Sequence, residues 1–188
     1  MSNQNHLGTV VMETERLILR RFTREDAQPM FDNWASDPEV TKFLTWPAHE
    51  SPDISAMVIE DWIAQYSQPD YYQWAIEQKE LGTPIGSISV VHHNDRVGKM
   101  EIGYCIGRKW WHCGIATEAL GAVIAFLLDE VGAGRVEACH DPRNPNSGAV
   151  MRKYGMQYEG TQRKAGINNA GKCDLSWYAI LAEDRKRL

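Results

Sequence analysis

The stretch from Met100 to Val131 limits the possible folds more than any other part of the chain. Met100, Ile102, Tyr104 and Ile106 alternate with Glu101, Gly103 and Cys105, and then Leu120, Val123, Ile124, Leu127, Leu128 and Val131 recur at helical spacing. A period of two thus becomes a period of 3.6 across a short turn. A strand with one apolar and one nearly bare face runs into an amphipathic helix, expected over Thr117 to Glu130, which must pack on the sheet. Such a junction suits an anion, because the first amides of a helix lack carbonyl partners and the helix dipole favours negative charge there by about 0.3–1 kcal/mol. His112 to Thr117 supply those amides. Gly114 and Ala116 keep the backbone open enough for a diphosphate. The sequence has no G-K-[ST] and no G-x-G-x-x-G between a strand and a helix, which excludes the two commonest phosphate-loop fingerprints.

The rest of the pattern is mixed. Leu17 to Leu19 read as a short strand, and Thr23 opens a helix through Met30, Phe31 and Trp34 that stops before Pro38. Glu39 to Pro52 reads as a broken helix plus loop, and Ile54 to about Tyr66 as a helix. Tyr72 to Glu77 and Ile85 to Val91 flank the turn Gly82-Thr83-Pro84 as an antiparallel hairpin, and Met100 to Ile106 follows as the next strand. Arg135 to His140 is a further strand. Ser147 to Tyr154 is a short helix with Ser147 as N-cap and Gly155 as its stop, and the last strands lie near Tyr158 to Lys164 and Asp174 to Leu181.

With 188 residues and no repeat, low-complexity segment or linker, one domain spanning 1–188 is expected. Twenty Lys and Arg against 25 Asp and Glu give a net charge of −5, which argues against a general nucleic-acid binder. The longest apolar run, Leu120 to Leu128, is far short of the roughly 20 residues that span a bilayer. Cys105, Cys113, Cys139 and Cys173 form no C-x-x-C pair and no signal-like run follows the polar start, so reduced thiols in a cytoplasm are expected. His92 and His93 lack a Cys or carboxylate partner at metal spacing, so no metal is expected. Trp34, Trp46, Trp62 and Trp74 are either core or the border of an acceptor groove.

Several ordered blocks carry a resemblance that spans about Thr14 to Ala182. They are Thr14-Glu-Arg-Leu-Ile-Leu-Arg-Arg-Phe-Thr-Arg-Glu-Asp-Ala27, Ser36-Asp-Pro-Glu-Val40, Glu101-Ile-Gly-Tyr104, Trp111-His-Cys-Gly-Ile-Ala-Thr-Glu-Ala-Leu120, Asp141-Pro-Arg-Asn-Pro-Asn-Ser147, and Lys153-Tyr-Gly-Met156 with Glu159-Gly160. Together they resemble the GNAT superfamily of acyl-CoA N-acyltransferases, in the branch named for ribosomal-protein N-terminal acetylation. The resemblance implies an α/β (α+β) fold: a mixed, mostly antiparallel sheet, flanked by helices and splayed after the Glu101 to Ile106 strand, with acetyl-CoA in the opening. It further implies that the diphosphate sits on the amides of His112, Cys113, Gly114, Ile115, Ala116 and Thr117. Pantetheine would pair with the backbone of Cys105 and Ile106, and Asn144 and Ser147 would reach the pantetheine and the sulfur. Three departures stand out. Trp111 replaces a frequent Gln or Arg, and His112-Cys113 replaces a frequent Gly-Lys, which makes Arg108 and Lys109 candidates for the missing charge. Met151 replaces the frequent Tyr that protonates the thiolate, which leaves Ser147 as the substitute.

Amide formation from an amine and a thioester needs a neutral amine and a protonated leaving thiolate. At pH 7, deprotonating a peptide α-amine costs about 1.4 kcal/mol and a lysine about 4.6. A site whose base is a carboxylate therefore suits the α-amine, and Glu101, on the bare face of its strand, is the candidate base, acting directly or through water. The expected activity is acetyl transfer from acetyl-CoA to an amine, with a protein or peptide N-terminus favoured. A small-molecule amine acceptor is the first alternative, and a non-catalytic CoA-binding module is the second. Acceptor contacts are expected on Glu39 to Pro52 and on a Gly160 to Cys173 loop.

Overall fold

A single sheet of eight strands organises the computed structural model, which describes residues 4–185. The strands are β1 (Met12–Glu13), β2 (Leu17–Arg20), β3 (Gln73–Gln78), β4 (Thr83–Asn94), β5 (Lys99–Ile106), β6 (Arg135–His140), β7 (Gln157–Asn168) and β8 (Gly171–Leu181), in the spatial order β1-β2-β3-β4-β5-β6-β8-β7. All neighbours are antiparallel except β5 and β6, which run parallel. The helices are α1 (Ala27–Met30), α2 (Pro38–Thr41), α3 (Pro52–Gln65), α4 (Ile115–Asp129), α5 (Pro145–Tyr154) and α6 (Ala182–Arg185). This is the mixed, mostly antiparallel α/β architecture expected, and no helix among the described residues is long and apolar enough to cross a membrane.

The two faces of the sheet carry separate cores. Met100, Ile102 and Ile106 of β5 and Leu17, Trp74 and Ile88 from neighbouring strands pack against Leu120, Val123, Ile124 and Leu127 of α4. On the opposite face Phe22, Met30, Trp34 and Ile59 close over Ala75, with Cys105 packed alongside. Each buried aliphatic contributes about 1.5–3 kcal/mol, which makes α4 the main anchor of the first face.

Several elements differ from the sequence expectation. The helix expected from Thr23 to Trp34 is a 3-10 turn (Arg24–Asp26), then α1, then a π-helical turn over Phe31–Ala35 in which the Ser36 amide and hydroxyl donate to the Phe31 carbonyl. α4 begins at Ile115, two residues early, on Gly114 in the left-handed region. α5 likewise begins at Pro145, whose fixed φ suits the first helical position, so Asn144 is its N-cap and Ser147 its third residue, not its cap. β7 and β8 extend to a turn at Asn169-Ala170, so the expected Gly160 to Cys173 loop is a hairpin. β7 is an edge strand exposed along most of its length, so it has no alternating apolar signature to read. His93 is also not the partnerless histidine expected: its Nδ1 lies 2.8 Å from Asp95 Oδ1.

Candidate active site

The site opens where one strand pairing stops. β5 and β6 are in register only at Lys99, Met100 and Glu101, against Arg135, Val136 and Glu137. Beyond Glu101, β5 continues along β4 as far as Ile106 opposite Gly86, while β6 follows β8. The V between them holds a cavity of about 450 Å³, within the usual range of small-molecule sites. Its walls are the α2 segment with Lys42, Phe43 and Leu44, the end of β5 (Tyr104, Cys105, Ile106), the loop from Trp110 into α4, and the start of α5.

The loop before α4 is held in an uncommon shape. His112 (φ 62°) and Gly114 (φ 77°) both take left-handed conformations, which turns the backbone from the short 3-10 turn at Arg108–Trp110 into the first turn of α4. The shape is fixed from outside. Glu118 of α4 accepts from the Thr14 hydroxyl (2.6 Å), the Arg16 amide (2.9 Å) and Arg16 Nε (2.7 Å), while Arg16 Nη1 donates to the Cys113 carbonyl (2.9 Å). Burial opposes ionisation of Glu118, but the hydrogen bonds from Thr14 and Arg16 outweigh it and hold its carboxyl below the usual glutamate range. Trp111 braces the other side by donating from its indole to the Ile106 carbonyl (2.8 Å). The bulky departure at this position therefore props the loop against β5.

Across the V, the Tyr104 hydroxyl lies 3.0 Å from the Ser147 carbonyl and 3.1 Å from its Oγ, linking β5 to α5. Burial pushes the Tyr104 phenol well above its usual value, so it is neutral and donates. The turn that carries Asn144 and Ser147 hangs on buried Asp141. Asp141 accepts from Arg143 through its amide (2.9 Å), Nε (3.1 Å) and Nη2 (2.6 Å), and from Asn168 Nδ2 (2.8 Å). The Arg143 bonds dominate over burial and lower the carboxyl to about 2.

Glu101 is the last residue of β5 paired to β6, opposite Glu137 on that strand and His92 on β4, where a bulge after Val90 distorts the ladder. Burial, and then the charge of Glu137, raise its pKa. Cys139 Sγ lies 3.9 Å from Oε1. Gly103 leaves the strand beside it bare, since any Cβ there would press on Val91.

Of the residues singled out from the sequence, Cys105, Ile106, His112, Gly114, Ile115, Ala116, Thr117, Asn144 and Ser147 all line the one cavity. Glu101 is not on its wall but at the apex of the V. Arg108 is also off the wall, with Nε 2.9 Å from Asp37 Oδ2, and Cys113 is exposed with its thiol turned to the Trp111 carbonyl. The basic residues on the wall are Lys42, Arg143 and Lys153. Trp34 and Trp74 are fully buried core, and the tryptophans at the cavity are Trp110 and Trp111. Tyr104 was missed because its strand face reads as apolar; a buried tyrosine nonetheless needs a hydroxyl partner, and that was the available signal.

Residues 16–157 match the family model described as an acetyltransferase (GNAT) domain. The Bacillus subtilis N-acetyltransferase YoaA is 30% identical over 171 residues, covering 91% of this chain and 96% of that protein. The Escherichia coli ribosomal protein uS5-alanine N-acetyltransferase is 25% identical over 167 residues, covering 84% of this chain and 83% of that one. The crystal structure of the microcin C7 self immunity acetyltransferase MccE in complex with acetyl-CoA and AMP shares the fold, with a TM-score of 0.79 at 21% identity over 89% of this chain and 93% of that one. With the splayed strand, the left-handed loop into α4 and these likenesses together, the chain belongs to the GNAT acetyltransferase family and is an acetyl-CoA-dependent N-acetyltransferase.

Proposed function

We propose that the chain works as one transferase domain that acetylates the α-amine of a protein or peptide N-terminus. The observation that carries this reading is the parting of β5 from β6 after Glu101, which leaves the Cys105 and Ile106 end of β5 beside an anion-ready helix start in one cavity. In this reading the diphosphate of acetyl-CoA rests on the amides from His112 to Thr117, with the dipole of α4 and nearby Lys42 and Lys153 adding favourable charge. Pantetheine runs along β5 toward the apex, beside Asn144, and brings the thioester to the level of Ser147.

Glu101 takes the proton from the attacking amine through an intervening water, consistent with its place outside the cavity wall. The amine nitrogen then bonds to the acetyl carbon and the carbon–sulfur bond breaks, and the proton that nitrogen sheds as the amide forms passes through water to the departing sulfur, which leaves as the free thiol of CoA. Ser147 Oγ supplies a hydrogen bond to the leaving thiolate, turning its hydrogen from the Tyr104 oxygen to sulfur, while Tyr104 donates its own hydrogen to the Ser147 carbonyl and holds the residue in place. The raised Tyr104 phenol keeps this tie protonated, so Tyr104 positions Ser147 and is not a proton source. The α-amine is favoured on energetic grounds: a carboxylate raised toward neutrality bridges the small gap to an amine near pKa 8 more readily than the gap to a lysine near 10.4. The action of the Escherichia coli relative on an alanine of ribosomal protein uS5 supports the same acceptor class.

The test is a competition in acetyl-CoA, read by mass spectrometry, between a free-N-terminus peptide without lysine and an N-acetylated peptide bearing lysine. Faster modification of the free N-terminus is expected. Equal or faster modification of lysine rejects the α-amine reading, and modification of small amines alone moves the activity to that class.

A further inference from the structure

Away from the cavity described above, a constellation joins the start of the chain to the β4–β5 hairpin. His6, His93 and Asp95 each present a ligand atom, all within 4.8 Å of one another. His6 Nε2 lies 3.3 Å from Asp95 Oδ2, and His93 Nδ1 lies 2.8 Å from Asp95 Oδ1. None of the three lines the cavity described above.

We propose that these residues form a site for one first-row transition-metal dication, with zinc as its reference ion, ligated by His6 Nε2, His93 Nδ1 and the Asp95 carboxylate. A tetrahedral ion with ligands at about 2.0–2.1 Å sets neighbouring ligand atoms about 3.3 Å apart, so small side-chain adjustments suffice. Each imidazole is already steered by its other nitrogen. His6 Nδ1 is 2.9 Å from the Tyr72 hydroxyl, the outer hydrogen bond that orients metal-bound histidines, and His93 Nε2 faces the Asp70 carboxylate at 3.8 Å, an electrostatic contact longer than a hydrogen bond. His6 Nε2 is itself sealed from solvent, and the group it faces is the Asp95 carboxylate at 3.3 Å, so an ion bound between the two would meet a nitrogen and an oxygen already turned toward each other. Two imidazoles with one carboxylate select zinc, nickel or copper over magnesium or calcium, whose sites are built from oxygen. The ligands are also held in place: the backbone around His6 is anchored by Asn5 donating to the Val131 carbonyl (2.9 Å) and Gly8 donating to the Pro69 carbonyl (2.6 Å). The ion would clasp the leading arm to the hairpin, a structural role separate from transfer chemistry.

The experiment is a calorimetric titration of chelator-treated full-length chain with zinc chloride, with cobalt(II) as the spectroscopic probe. One zinc per chain is expected, with tetrahedral cobalt absorption and no thiolate charge-transfer band. His6→Gln, His93→Gln and Asp95→Asn should each weaken binding at least tenfold, while Cys113→Ser, which removes the exposed thiol, leaves it unchanged. Zinc should also slow amide exchange from Leu7 to Val10 in the parent chain alone. No saturable one-to-one binding, or binding that persists in the His6→Gln/Asp95→Asn double variant, overturns the site. Should a variant not fold, the ring-nitrogen shifts of the parent chain decide: changes at His6 and His93 support the site, and changes confined to other histidines reject it.

Discussion

A carboxylate that is half-buried and faces a second one, Glu137, ionises less readily than a solvated glutamate, and this sets what Glu101 does at each pH. In the proposed role of base it acts only when ionised, so kcat/KM should rise with pH through a value above the ordinary glutamate range. Glu101→Gln should remove that limb and lower turnover roughly 10²-fold while leaving CoA binding intact. The stability effect has the opposite sense. A folded pKa above the unfolded one contributes stability that is present below the unfolded value and is lost as pH rises through the folded value. Because glutamine resembles the protonated form, urea denaturation at pH 8 should find the variant at least as stable as its parent; unchanged turnover would make Glu101 structural. Gly114 offers a second test at this scale. Gly114→Ala carries the left-handed backbone strain of about 1–2 kcal/mol, and Gly114→Val adds branched bulk to it. Calorimetry should find CoA binding at least tenfold weaker in the Val variant than in the parent, about 1.4 kcal/mol, with the Ala variant isolating the strain. Gly114, Ala116 and Thr117 were legible as the junction into α4, because small residues at the mouth of a strongly periodic helix leave its first amides open, although the helix starts at Ile115 and takes Ala116 and Thr117 into its first turn. The clamp from Arg16 to Glu118 was not, since a contact between residues 102 positions apart leaves no mark in local periodicity.

Among the elements, the turn between β6 and α5 depends on one carboxylate. Asp141 is held at about 2 against an ordinary 3.8, and this difference is worth about 2–3 kcal/mol at neutral pH. A depressed value contributes stability above the unfolded pKa and loses it as pH falls through the folded one. Asp141→Asn should therefore cost about 2 kcal/mol in denaturant midpoints at pH 7, with the gap to the parent closing between pH 4 and pH 2. A gap independent of pH would mean that shape and not charge sets the turn. The sequence located α5 but misplaced its start. Serine is a strong cap signal, yet Pro145 at the first helical position decided the boundary and moved Ser147 inside, where its hydroxyl reaches Tyr104.

Across the whole molecule, parts distant in sequence meet at Asn169. From the β7–β8 turn, its side chain donates to the carbonyls of Thr41 (2.8 Å) and Trp46 (2.7 Å), and its amide to that of Leu44 (3.2 Å). The two segments expected to face the acceptor are thus tied together. Asn169→Ala should release them and raise KM for the acceptor several-fold with little change in KM for acetyl-CoA; an unchanged acceptor KM would place the acceptor elsewhere. The brief pairing of β5 with β6 has a consequence for how the chain comes apart. Three residue pairs are the strand contact between β1–β5 and the β6–β8 unit, so the two halves should open as separate cooperative blocks, with exchange protection of β6 and β8 amides below that of β3 and β4. A co-substrate lodged in that seam, as proposed, would bind only when both blocks are in place. At a hundred times its dissociation constant it adds about 2.7 kcal/mol against their separation, so saturating CoA should bring the two exchange rates together.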